Sequence, residues 1–211
     1  RVALKAVAAK DYFLLVGPPG TGKTSRALRK MVEMFYENPG VQILLLAYTN
    51  RAVDEICKSL LAIEPKVDFI RVGSELSCDE MYREYLIENV LSDCSRRSEV
   101  YECITKCRLF VGTVASIANK PELFNLKTFD VAIVDEATQI LEPQLLGILC
   151  AKNRKGENAL GKFILIGDHK QLPAVVLQNE EQSRVVDEQL NSIGLTNLRD
   201  SLFERLYRLH I

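Results

Sequence analysis

Tyr12-Phe13-Leu14-Leu15-Val16-Gly17-Pro18-Pro19-Gly20-Thr21-Gly22-Lys23-Thr24 is the stretch that decides the fold. An apolar run of strand character leads into G-x-x-x-x-G-K-T, and a helical pattern follows, which is the context in which this spacing cradles phosphate. Gly17, Gly20 and Gly22 leave backbone room for phosphate oxygens and tolerate the unusual φ such a loop needs. Across Gly17, Pro18, Pro19, Gly20, Thr21, Gly22, Lys23, Thr24 and Ser25, successive N–H groups are expected to point into one concavity. The helix beginning near Lys23 adds its positive end. Lys23 is placed to reach the β- and γ-phosphates, and the Thr24 hydroxyl to bind Mg²⁺. The stretch therefore predicts a nucleoside-triphosphate site, with ATP and Mg²⁺ as cofactors.

Outward from the loop, Ala27, Met31 and Phe35 lie four apart with Leu28 and Val32 beside them, one apolar face at helical period. Asn38-Pro39-Gly40 ends that helix, and Val41–Ala47 reads as a buried strand, completing a strand–helix–strand unit. Further strands are expected at 67–72, 108–112, 129–134 and 163–166, with helices at about 51–62, 79–107 with breaks, 143–150 and 200–209. The strands are short and nearly all apolar, as strands covered on both faces are. The alternation predicts an α/β fold: a mostly parallel sheet with helices on both faces. The acidic, polar segment from Ser74 to Lys106 is longer than a crossover needs and reads as a helical excursion at about 74–107.

The chain has 211 residues, 47% of them hydrophobic, enough for one α/β domain with a small insertion. Its 27 basic and 28 acidic residues leave a net charge of −1, so composition carries no basic footprint for nucleic acid. No apolar run approaches a membrane span. Six cysteines and two histidines have no metal-site spacing, and reduced thiols beside an ATP site point to a reducing intracellular compartment, cytoplasmic or nuclear. The chain begins at Arg1, not Met, and is expected to be a piece of a longer protein.

Asp135-Glu136-Ala137-Thr138-Gln139 follows the strand ending at Val134, about 110 residues after the phosphate loop. Asp135 can hold Mg²⁺ beside Thr24. Glu136 faces another way and is placed to orient and deprotonate an attacking water. Gly167-Asp168-His169-Lys170-Gln171 follows another buried strand, where a polar side chain can meet the γ-phosphate. Residue chemistry alone does not choose between His169 and Gln171.

These three segments, in this order and spacing, resemble motifs I, II and III of superfamily 1 helicases, in wording nearest the 5′→3′ branch. Ala47–Asp54 resembles motif Ia, with Tyr48 where proline is usual, and Val111–Ser116 resembles the next strand-contacting segment. The resemblance covers nearly the whole chain, residues 1–211, and implies the first RecA-like motor domain. It implies Lys23, Asp135, Glu136 and Gln171 as catalytic residues, with Gln171 at the γ-phosphate and the 163–166 strand between the other two site strands. It also implies Thr49, Asn50 and Thr113 as contacts to single-stranded nucleic acid, DNA favoured and RNA possible, with few contacts suiting a neutral domain. A second RecA-like domain, supplying arginines worth about 10³–10⁵ in turnover, is the implied partner. The chain alone is therefore expected to be monomeric, to bind nucleotide weakly and to hydrolyse it very slowly. The alternative is a nucleotide-dependent switch or scaffold that binds protein partners through the 74–107 excursion.

Overall fold

Six segments pair side by side: β1 (Tyr12–Val16), β2 (Ile43–Ala47), β3 (Ile70–Val72), β4 (Leu109–Thr113), β5 (Phe129–Val134) and β6 (Leu160–Gly167). In this computed structural model, which describes residues 1–18, 20–168, 170 and 174–210, their order is β1-β6-β5-β2-β4-β3 and every pairing is parallel. The expected parallel α/β sheet is borne out, and the strand through 163–166 does lie between β1 and β5. The first strand–helix–strand unit does not pair its own strands: β6 and β5 separate β1 from β2.

Burial follows from the two-residue period of a strand. Ile43, Leu45 and Ala47 of β2 point to one apolar layer, and Leu44 and Leu46 point to the other. All five are fully buried, because helices cover both faces. The first layer is closed by Ala3 and Ala6 of α1 (Val2–Ala8), by Leu28, by Met31, Val32 and Phe35 of α2 (Arg29–Tyr36), and by Val53, Ile56 and Leu60 of α3 (Asn50–Leu61). The second is closed by Ile117, Phe124, Ile148 and Phe203. Strand β1 departs from the expected buried run. It is half-buried over Tyr12–Leu15, because it is an edge strand bonded to β6 alone.

The 74–107 excursion is helical in pieces: Glu75–Ser77, Glu80–Tyr85, Ile87–Val90 and Arg97–Lys106. It turns back onto the sheet. Cys78, Tyr82 and Leu86 enter the first layer and Ile104 the second, and Leu86 bridges to Arg71 of the edge strand β3. Arg71 is 1% exposed. It pairs with Asp54 of α3 and donates to the Ser77 carbonyl at 3.3 Å. One buried guanidinium therefore ties the excursion, the sheet edge and α3 together.

A second buried ion pair fixes the C-terminal helix Leu202–Leu209. Arg205 donates from Nε and Nη2 to the two carboxylate oxygens of Glu142 at 2.7 and 2.6 Å, and Glu142 is 2% exposed. Such a fork-on-carboxylate pair satisfies both groups, and truncating one partner strands the other's charge. Arg205→Ala should therefore destabilise the chain by about 3–5 kcal/mol in urea unfolding. A loss below about 1 kcal/mol would show that solvent relieves the Glu142 carboxylate.

Candidate active site

The parallel sheet brings the C-terminal ends of β1, β6 and β5 to one rim. There the Gly17 N–H donates to the Gly167 carbonyl at 3.1 Å, binding the root of the phosphate loop to the end of β6. Gly20 and Gly22 have φ of 75° and 80°, the left-handed region glycine adopts without strain. After Gly22 the chain enters a π-helical turn, Lys23–Leu28, in which Ala27 N–H reaches back five residues to the Gly22 carbonyl at 3.0 Å. Widened turns of this kind concentrate at functional sites. Thr21 Oγ1 donates to the Pro18 carbonyl at 2.7 Å and closes the loop on itself. Lys23 Nζ folds back to donate to the carbonyls of Gly17 and Pro18. Its ammonium therefore lies inside the loop. Pro19 lies outside the described residues.

Thr24 Oγ1 donates to Asp135 Oδ2, joining the loop to the end of β5. Asp135 is 3% exposed, and its own backbone N–H donates to Leu46 of β2 at 2.8 Å. Burial raises the Asp135 carboxyl above the ordinary carboxylate range, against the opposing pull of the Thr24 hydrogen bond, the Glu136 N–H and the Lys23 charge. Glu136 has φ of 52°, an uncommon conformation for a residue with a side chain. That turn swings its carboxylate away from Asp135 while its N–H donates to Asp135 Oδ1 at 3.0 Å. Burial and then the Asp135 charge raise the Glu136 carboxyl, partly offset by Arg51 and Lys23. Glu136 Oε2 is buried without a hydrogen-bond partner among the described residues. An orphaned acceptor of this kind calls for an occupant.

A cavity of about 360 Å³ lies between these groups, lined by Gly22, Lys23, Thr24, Asp135, Glu136 and Asp168 among others. That is the size of a small-ligand site. The expected Lys23, Thr24, Asp135 and Glu136 thus converge, with Pro18, Gly20, Gly22 and Ser25 on the same wall. The expected Gln171, and His169 beside it, lie outside the described residues. Sequence reading passed over Arg51, the cation facing Glu136, although it directly follows Asn50. It also passed over Asp168 and Thr138, 4% and 2% exposed, which line the cavity. Only their positions inside the quoted segments could have singled them out.

The expected strand contacts sit at the same rim. Ala47 pairs in register with Thr113, so the segments after β2 and β4 emerge side by side. Thr49 is exposed and caps α3 by accepting from Ala52 N–H at 3.1 Å. Asn50 follows it as the first residue of α3. Thr113 is buried; it caps Val114–Ala118, with Oγ1 accepting from Ser116 N–H at 3.0 Å and sharing a hydrogen bond with Ser116 Oγ at 2.7 Å.

The chain matches the model of the AAA domain family over residues 1–99 and 89–179. It is 36% identical to the DNA replication ATP-dependent helicase/nuclease DNA2 of Bos taurus over 203 residues, 96% of this chain and 17% of that protein. It is 34% identical to the DNA replication ATP-dependent helicase/nuclease JHS1 of Arabidopsis thaliana, over 98% of this chain and 13% of that one. The fold is similar to that of a nuclease-deletion mutant of the Type ISP restriction-modification enzyme LlaGI, solved with a DNA substrate mimic. The TM-score there is 0.53 at 16% identity, covering 92% of this chain and 19% of that one. The chain belongs to the AAA domain family, and the resemblance to superfamily 1 helicases drawn from motifs I to III is borne out. It spans about a sixth of the length of the Bos taurus relative.

Both acids bind protons more readily folded than unfolded, so their ionisation opposes folding. The penalty is absent below the unfolded carboxyl values, grows as pH rises from those to the raised folded values, and is complete above them. Glu136→Gln removes one buried charge and should stabilise the ligand-free chain at neutral pH by about 0.5–2 kcal/mol, the increment typical of relieving a functional site. The gain should shrink on acidification. Thermal unfolding at two pH values checks this, and a Glu136→Gln chain less stable than the parent at neutral pH would refute it.

Proposed function

We propose that this domain is the ATP-hydrolysing motor of a helicase that moves along single-stranded nucleic acid, DNA in preference to RNA. The observation that carries the reading is the Thr24–Asp135 contact beside Glu136, whose Oε2 has no partner among the described residues. Thr24 and Asp135 present hard oxygen donors and would hold Mg²⁺, which supplies charge neutralisation at the phosphates when bound. The residues fit such an ion: a hydroxyl and a buried carboxylate converge at the mouth of the phosphate loop. Lys23 exchanges its loop carbonyls for phosphate oxygens. Glu136 orients and deprotonates water, and the burial that raises its carboxyl strengthens it as a base. Gln171 reports the γ-phosphate.

Thr49 and Asn50, with N–H groups beyond Thr113, contact the strand backbone. Thr113 acts through the helix start it caps, because its hydroxyl is already engaged. The preference for DNA rests on relatives named for DNA replication. A second RecA-like domain of the same protein supplies the arginines that complete turnover, and the 74–107 excursion is an insertion in this first domain. The six free thiols suit a reducing intracellular compartment. No helix among the described residues is long and apolar enough to cross a membrane.

In the full-length protein, ATP hydrolysis should rise on adding single-stranded DNA. Glu136→Gln should lower turnover about 10²–10⁴-fold while nucleotide binding persists. Lys23→Ala should lose binding as well. Steady-state hydrolysis and nucleotide titration separate the two variants. Absence of strand-stimulated hydrolysis would sink the motor reading, and a Glu136→Gln protein with full turnover would remove Glu136 as the base.

A further inference from the structure

Away from the nucleotide rim, a cavity of about 580 Å³ is lined by Cys94, Ser95, Arg96, Arg97, Val100, Tyr101, Leu126 and Arg154. Three of these residues are arginines. Among the described residues none of the three guanidinium groups has a hydrogen-bond or ion-pair partner. Of the nearby carboxylates, Glu99, Glu102 and Glu157 have partners of their own and Asp93 has none among the described residues. Glu99 accepts from the N–H groups of Ser95 and Arg96 at 2.8 and 3.0 Å. Glu102 pairs with Lys106 at 2.5 Å, and Glu157 accepts from Asn153 at 2.9 Å. In a chain of net charge −1, three arginines without ion-pair partners around one concavity leave three guanidinium forks free to take anionic groups. Tyr101, 54% exposed, offers a ring face beside them. Val100 and Leu126 pack against the second apolar layer and form the floor.

The place in the fold is distinct. Leu126 ends the helix before β5, and Arg154 lies in the turn before β6. Both sit at the N-terminal rim of the sheet, whereas the phosphate loop, Thr49, Asn50 and Thr113 sit at the C-terminal rim. We propose a second site for single-stranded nucleic acid here, in which Arg96, Arg97 and Arg154 hold backbone phosphates and Tyr101 stacks on a base. Guanidinium forks match phosphate oxygens, and an aromatic face accepts any base. The exposed ring beside the charges favours a nucleic acid over a phosphorylated peptide, which would use the arginines alone. This site goes beyond the motor reading and does not need the nucleotide pocket to work.

The test is fluorescence anisotropy of a labelled thymidine oligonucleotide with the 211-residue chain, without nucleotide, across a salt series. Replacing Arg96, Arg97 and Arg154 together by alanine should weaken binding and flatten the salt dependence by roughly 0.7 per lost phosphate contact, about 2 in all. Tyr101→Ala should weaken binding about tenfold with the salt slope kept. Lys58→Ala, at an exposed cation of α3 outside this cavity, should leave both unchanged. All four residues of the proposed site are exposed, so unfolding temperatures should match the parent. An unaltered slope in the triple variant would overturn the proposal. So would an oligonucleotide that fails to bind the parent chain while a phosphopeptide binds it and loses that binding in the triple variant.

Discussion

The hydrogen bond from Thr24 to Asp135 joins residues 111 apart in sequence, in segments that follow two strands not paired with each other. It exists because β6 lies between β1 and β5 and because all three run the same way. Val16 stands opposite Gly167, and Val134 opposite Leu165, so the chain leaves all three strands at nearly one level. A one-residue slip in either pairing would turn the apolar set of a strand to the wrong face. The same register that buries Ile164 and Ile166 against one layer and Leu165 against the other therefore also sets the distance across the site. Close approach is enforced by Gly167: a Cβ there would meet Thr138 Cγ2 at 2.9 Å and the Phe203 ring at 3.1 Å. The C-terminal helix carrying Phe203 is thus part of what shapes the rim.

Within that frame the site is built against its own stability. Asp135 is buried and Glu136 half-buried beside it, one Glu136 oxygen has no partner among the described residues, and Glu136 adopts a left-handed backbone. Each is unfavourable alone, by an amount of order 1–3 kcal/mol for the backbone. The buried strands on either side hold the arrangement. Asp135 is fixed by Leu46 of β2 on one side and Thr24 on the other, leaving Glu136 the next position and its Oε2 without a hydrogen-bonded neighbour among the described residues. A residue kept deprotonation-ready in this way needs a ligand to complete it, and the cavity it faces is where one enters.

Much of this was legible in the sequence, for physical reasons that differ between elements. Strands β2 and β5 are central, so their residues are apolar on both faces and stand out as continuous runs. Helix α3 was placed within a residue, because Val53, Ile56 and Leu60 repeat at helical spacing and Thr49 caps it. The short helices Val114–Ala118, Glu122–Leu126, Glu180–Ser183 and Glu188–Ser192 carry one turn each and too few apolar positions to display a period. Arg71 was illegible for another reason. A charged residue in a strand reads as solvent-facing, and only the excursion folding back over β3 puts it inside. The four chemical groups around the loop were found because their spacing encodes a site. Arg51 and Asp168 were missed because nothing but tertiary proximity marks them.

Arg71 also bears on how the two rims relate. Its partner Asp54 lies one turn into α3, the helix that opens with Asn50 after the Thr49 cap. Its other contact, the Ser77 carbonyl, is at the start of the excursion that ends in Arg97–Lys106. Breaking a buried ion pair is strongly unfavourable, so α3, β3 and the beginning of the excursion are held as one piece. Asp54 thereby fixes the orientation in which α3 presents its first turn at the C-terminal rim. The end of the excursion is fixed separately, by Lys127 donating to the carbonyls of Ile104 and Thr105 at 3.4 and 3.3 Å. Lys127 is itself buried, and desolvation lowers its ammonium to about 8, so this tether is fully charged only below that value. The two ends of the excursion therefore rest on cations of different kinds. Arg71 keeps its charge at every accessible pH, and Lys127 can lose it, so the N-terminal rim is the end whose attachment responds to mild alkalinity.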